Sequence, residues 1–155
     1  METKEYINKK NRIKSDLMTY ATVNQLRMVS NQGIDSYRIY DKEFCVLEVY
    51  LLKQNQTGNL SVRFVIPLLY DFSMANLTVL RPLLGDINIR DFLCNDRMAH
   101  SNNILKLVRD SSIELEKPFN RNFVFATITN LFTKATNGVD LISNKMNQIL
   151  QIKLN

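Results

Sequence analysis

The hydrophobic positions along this chain change period several times, and each change marks an element. Between residues 4 and 31, Ile13, Leu17, Tyr20, Asn24 and Met28 fall at spacings of four, three, four and four, with Tyr6 one heptad before Ile13. Such spacings line one side of a helix. Gly33 stands just past the last of these positions as a stop signal. The opposite side of the first half carries Lys9, Lys10, Arg12 and Lys14. The apolar stripe is short and Asn24 interrupts it, so it reads as a helix docked on the protein's own sheet rather than as a coiled-coil seam.

The period then drops to two. Ser36 to Tyr40 (SYRIY) is rich in aromatic and β-branched residues and reads as a short strand. Phe44 to Lys53 and Leu60 to Ile66 read as the two arms of a ribbon. Their connection, QNQTGN, holds Gly58 where a longer hairpin loop wants a left-handed residue. In the second arm Leu60, Val62, Phe64 and Ile66 alternate with Ser61, Arg63 and Val65, the pattern of a half-buried strand. The first arm is apolar on both sides. Cys45, Leu47, Val49 and Leu51 point one way, and Phe44, Val46, Tyr50 and Leu52 the other, with Glu48 breaking the second row. A strand of that kind is either central in a sheet covered on both sides or offers one face to a partner. With several helices expected, cover on both sides is the plainer expectation. Phe44, Val46, Tyr50 and Leu52 are the candidate interface. Pro67 is expected to end the ribbon, because proline cannot donate to a ladder.

The remaining segments are read as a strand near residues 77–80 and a short helix near 88–95. A further helix is expected from Ser101, as its cap, to about Glu116, with Ile104, Leu107 or Val108, and Leu115 on one side and Pro118 closing it. Residues 122–134 fit two patterns. Their β-branched and aromatic content favours a strand, while Val124, Ile128, Leu131 and Phe132 fit a helix. Asn137-Gly138 reads as a turn. A last helix follows on Val139, Ile142, Met146, Ile149 and Leu150, with Lys145 and Lys153 toward the end that suits positive charge. The expected fold is therefore a single globular α+β domain over residues 1–155. A long N-terminal helix precedes an antiparallel meander of three to four strands, and two to three C-terminal helices follow.

Composition fits that picture. Hydrophobic residues make up 45% and charged residues 23%, which is globular rather than disordered. The net charge of +5 is uneven: residues 1–30 carry six Lys/Arg against three Asp/Glu, residues 31–100 seven against eight, and residues 101–155 seven against four. Basic ends are compatible with a nucleic acid or an acidic partner. Lys9, Lys10, Arg12 and Lys14 are the candidate nucleic-acid-binding residues, able to neutralise about two to four phosphates. The abundance of Asn, Ile and Lys is what an A+T-rich genome, such as that of a virus, phage, yeast or protist, tends to encode. Two cysteines, Cys45 and Cys94, both in apolar segments, do not make a disulfide scaffold. The opening METKEYINKKNRIK is polar, and no apolar run reaches membrane-spanning length. A reduced intracellular location, cytoplasmic or nuclear, is expected, with no membrane partner.

Candidate chemistry is sparse. His100 is the one histidine, near Cys94 and Asp96, and the three match no metal-site spacing. A thiolate–imidazole pair of Cys94 and His100 is read instead as a buried thiol and a solvent-facing ring. Asp86 and Asp91, beside Arg90, are read as a cap and surface ion pairs rather than an acid–base pair. The glycines, Gly33, Gly58, Gly85 and Gly138, lie too far apart for a phosphate-cradling loop. No cofactor, metal or small-molecule substrate is expected, and no catalysis. The expected function is a protein-interaction or assembly module that self-associates. The alternative is a nucleic-acid-binding accessory protein working through the basic N-terminal helix.

Overall fold

The computed structural model describes residues 3–31, 33–71, 87–101 and 104–154. Its elements run α1 (Lys4–Val23), β1 (Arg27–Asn31), β2 (Ser36–Asp41), β3 (Phe44–Lys53), β4 (Leu60–Asp71), α2 (Ile87–Leu93), β5 (Arg97–Ser101), β6 (Ile104–Ile113) and α3 (Phe123–Leu154). The α+β class is as expected. The six strands form one antiparallel sheet in the order β1-β2-β3-β4-β6-β5, more strands than the expected meander held. One long C-terminal helix stands where two or three were expected. The chain divides into two compact units, one of Met1–Val65 with Arg109–Asn130 and one of Ile66–Val108 with Leu131–Asn155.

In the first unit α1 forms on the expected stripe. Thr3 caps it, its Oγ1 accepting from Tyr6 N at 3.2 Å. Tyr6, Ile13, Leu17 and Ala21 are buried. The helix ends at Val23, eight residues before Asn31, because Asn24 is its C-cap and Gln25 turns left-handed at φ 57°. The residues expected to extend it form β1 instead. Met28 had continued the helical spacing, but Arg27–Asn31 pairs with β2 from Arg27↔Tyr40 to Asn31↔Ser36. Ile39, Leu47, Val49, Leu60, Val62 and Phe64 supply the sheet's side of the core. The start of α3 closes it, with Val124 and Ile128 fully buried. Phe123 meets Phe64 edge-on at 5.8 Å, and Phe125 meets Tyr20 of α1 at the same distance.

The ribbon is as expected at its loop, where Gly58 has φ 71°. It differs at its end, because β4 continues through Pro67 to Asp71. Pro67 lies past Val65, which pairs with Glu48, so its missing N–H costs that stretch of the ladder nothing.

The helix expected over 101–116 is replaced by β6, which pairs with β5. Arg97–Ser101 and Ile104–Ile113 pair antiparallel from Arg97↔Val108 to Ser101↔Ile104. Leu105 and Leu107 are buried, the alternation of a strand. The short helix expected near 88–95 is α2, with Ile89 and Leu93 buried. The strand expected near 77–80, and Asp86, lie outside the described residues. Of residues 122–134, all from Phe123 on are helical and run without a break into the last helix, so Asn137-Gly138 is not a turn. Leu131, Ala135, Gly138 and Ile142 continue one buried stripe along α3. Lys134 leaves that stripe to donate to Leu93 O at 2.6 Å and to Asp96 Oδ2 at 3.0 Å, with its ammonium 5.5 Å from the Phe92 ring centre. Among the described residues no helix is long and apolar enough to cross a membrane.

Candidate interaction surface

The sheet of the first unit has one side in the core and one side open. Side chains alternate across a strand. Tyr37 and Ile39 of β2 are buried with Leu47, Val49 and Leu51 of β3. The cross-strand register places Arg27, Val29 and Asn31 on the other side, with Ser36, Arg38 and Tyr40 beside them. Glu48, Tyr50 and Leu52 follow on β3, and Ser61, Arg63 and Val65 on β4. Cover on both faces of β3 was the plainer expectation. The second face is instead only partly covered, with Leu52 44% and Val29 41% exposed.

Within the candidate interface row, Tyr50 and Leu52 share that open face. The register between β2 and β3 shifts by one residue between Ile39, which pairs with Leu47, and Tyr40, which pairs with Cys45. Val46 is the extra residue on β3 and is half-buried. A shift of one residue reverses the side to which everything beyond it points. Phe44, 63% exposed, therefore pairs with Asp41 on the side of Tyr37 and Ile39. The row Phe44, Val46, Tyr50 and Leu52 is thus divided. Strict counting along β3 groups the four, and the bulge that parts them has no sequence signature there.

The polar groups of the open face are joined to one another. Arg38 lies 3.4 Å from the buried carboxylate of Glu48, and the hydroxyl of Tyr50 donates to the same carboxylate at 3.4 Å. A hydrogen bond with Tyr40, the charge of Glu48 and a hydrogen bond with Tyr50 raise the Arg38 pKa, against desolvation, so the guanidinium stays charged. Arg27 stacks over the Tyr40 ring at 4.7 Å. Arg63 pairs with Asp110 at 2.8 Å. A groove of about 340 Å³ opens along β1 and β2, lined by Val29, Ser30, Asn31, Ser36, Arg38 and Tyr40. Arg27, Val29 and Asn31 were hidden from sequence reasoning by the helical spacing of Met28. The polar pair Asn24-Gln25 was the signal that the helix stops before them.

The basic run on α1 is scattered by its contacts. Lys9 reaches the turn after β6 and donates to the carbonyls of Glu114, Leu115 and Lys117 at 2.7, 2.5 and 2.7 Å. Lys10 pairs with Asp35 at 2.8 Å and lies 5.3 Å from the Tyr6 ring centre. Arg12 pairs with Asp16 at 3.4 Å and lies 5.9 Å from the Phe119 ring centre. Lys14 is exposed.

Cys94, expected as a buried thiol, is instead exposed, with its thiol donating to Asp91 O at 3.0 Å, and Asp96 is engaged by Lys134. Among the described residues no group of three or more His, Cys, Asp or Glu is placed to hold a metal ion. Comparison with protein families, with curated proteins and with solved structures finds no match for this chain.

Proposed function

We propose that the chain is a non-catalytic protein-interaction module of a larger assembly, which self-associates through the open face of its β1–β4 sheet. The observation that carries this reading is the composition of that face. Exposed Val29 and Leu52 stand among Arg27, Arg38, Arg63, Tyr40 and Tyr50. Tyrosine and arginine anchors around aliphatic side chains are what protein interfaces use, because they bury large area and keep a polar tip satisfied. An assembly through such a face buries on the order of 1,500 Å².

Light scattering on a sizing column, at about 50 and 500 mM salt, tests it. The expected result is a dimer indifferent to salt that dissociates in Leu52→Glu. A wild-type monomer at both salts would overturn self-association. The nucleic-acid alternative through α1 is the weaker reading, since Lys9, Lys10 and Arg12 already have protein partners.

A further inference from the structure

β1 is the terminal strand of the sheet order, and four of its five residues are exposed. An edge strand carries backbone N–H and C=O groups on its outer side that no ladder satisfies, and natural edges are commonly blunted by proline, an internal lysine or a bulge. None of these stands between Arg27 and Asn31, and the β1–β2 register runs without a shift. The outer side of β1 is therefore a template for another extended segment. Every second side chain of such a segment falls on the open face, beside Arg27, Val29 and Asn31, where the groove lies.

The charge of that groove selects its occupant. Arg38 lines it, Arg27 stacks on Tyr40 at its wall, and the carboxylate paired with Arg38, Glu48, is 5% exposed. The whole chain carries +5 as well. Two guanidinium groups and one buried carboxylate leave this part of the face positive, which favours an incoming carboxylate, a group Arg binds with two parallel hydrogen bonds. A stacked nucleobase fits less well, because the Arg27 guanidinium already occupies a face of the Tyr40 ring. A second copy of β1 would bring two basic edges together.

We propose that the β1 edge, with the groove lined by Arg38 and Tyr40 and the Arg27 that stacks on Tyr40, binds an extended acidic segment of a partner protein as an added strand. Main-chain hydrogen bonds to β1 supply affinity, and carboxylate side chains against Arg27 and Arg38 supply specificity. This rests on the reading of the chain as an interaction module, and not on the self-association at Leu52.

The test uses the full chain and a labelled peptide of about nine residues alternating valine and glutamate, long enough to span β1. Two control peptides carry lysine in place of glutamate, or methyl groups on alternate backbone nitrogens. The acidic peptide is expected to bind, by anisotropy, and to slow hydrogen exchange of the amides in Arg27–Asn31. The lysine peptide is expected not to bind, and the N-methylated one to bind about tenfold more weakly or worse. Arg27→Glu, at an exposed position, and the milder Arg38→Gln are each expected to weaken binding about tenfold, with melting temperatures recorded to verify folding.

No binding at about 1 mM peptide, equal binding of the N-methylated form, or unprotected β1 amides in the complex each overturn the proposal. So does protection of those amides in the peptide-free protein by a second copy. Binding of an oligothymidylate of about 12 nucleotides that displaces the peptide from Tyr40 would overturn it in favour of single-stranded nucleic acid. Leu52→Glu separates the two readings. Loss of the dimer with retained peptide binding supports both. A monomeric wild type that still binds the peptide overturns self-association alone.

Discussion

Gly138 faces the ring of Phe92 so closely that a β-carbon added to it would lie 3.1 Å from Cε1 and 3.3 Å from Cζ. The glycine sits in the middle of α3, where helix propensity alone favours alanine by about 1 kcal/mol. Close approach therefore explains it, not a turn. Phe92 has little room to yield, with Lys134 over its ring and Met98 Cε 3.5 Å from the same point. Gly138→Ala is expected to destabilise by about 1 kcal/mol, the overpacking cost exceeding the helix gain. A rise in melting temperature would show that Phe92 moves aside freely.

Lys134 fastens α3 to the turn after α2 through Leu93 O and Asp96. The Asp96 side chain is 3% exposed, so removing Lys134 takes a cation away from a buried charge. Lys134→Met is expected to cost about 2 kcal/mol in urea unfolding, and adding Asp96→Asn to recover part of it. Additive losses in the double variant would show that the pair is not coupled.

Lys9 and Lys14 differ in what they hold. Lys9→Met removes three hydrogen bonds to the carbonyls of Glu114, Leu115 and Lys117 and is expected to cost about 1–2 kcal/mol. Lys14→Met, on an exposed side chain, is expected to stay within about 0.5 kcal/mol of the parent. Thermal melts of the two variants side by side decide this. Equal melting would show that Lys9 is as dispensable as Lys14.

Burial raises the pKa of Tyr20, and burial with the charge of Asp35 raises that of Tyr37, against the opposing charge of Lys10. The folded state then holds these protons to higher pH than the unfolded chain. Stability from both groups is complete below their ordinary value of about 10 and is lost as pH climbs through the raised folded values. Urea unfolding from pH 8 to 11 is expected to show a fall above about pH 10 that is shallower in the Tyr20→Phe, Tyr37→Phe double variant. An unchanged slope would assign alkaline loss to other groups.

Much of the first unit was legible because its residues leave one choice. Ile13, Leu17 and Tyr20, at spacings of four and three, fit a helix and no strand, while Leu60, Val62 and Phe64 fit a strand and no helix. Positions that satisfy two periods were not legible. Met28 continues the spacing of α1 and is also the second residue of β1. Ile104, Leu107 and Val108 line a helix face, while Leu105 and Leu107 line a strand face, and the pairing of Ile104 through Val108 with β5 selects the strand. Of the proposed surface, Tyr50 and Leu52 follow from counting along β3, Arg38 and Tyr40 stand out in SYRIY as a weaker stacking candidate, and Arg27 is placed only by register.

The sequence by itself determined the class of the fold, the stripe of α1, the spans of β2 and β3, and the loop at Gly58. Those follow from local periodicity and backbone preference, which need no distant partner. Tertiary structure alone decided that 104–113 is a strand, because a neighbouring strand satisfies its backbone groups. It decided that α3 passes through Asn137-Gly138, where Gly138 packs directly against the Phe92 ring. It also decided which residues face outward together. One extra residue at Val46 turns Phe44 away from Tyr50, and side-chain direction beyond such a shift depends on pairing rather than on order along the chain.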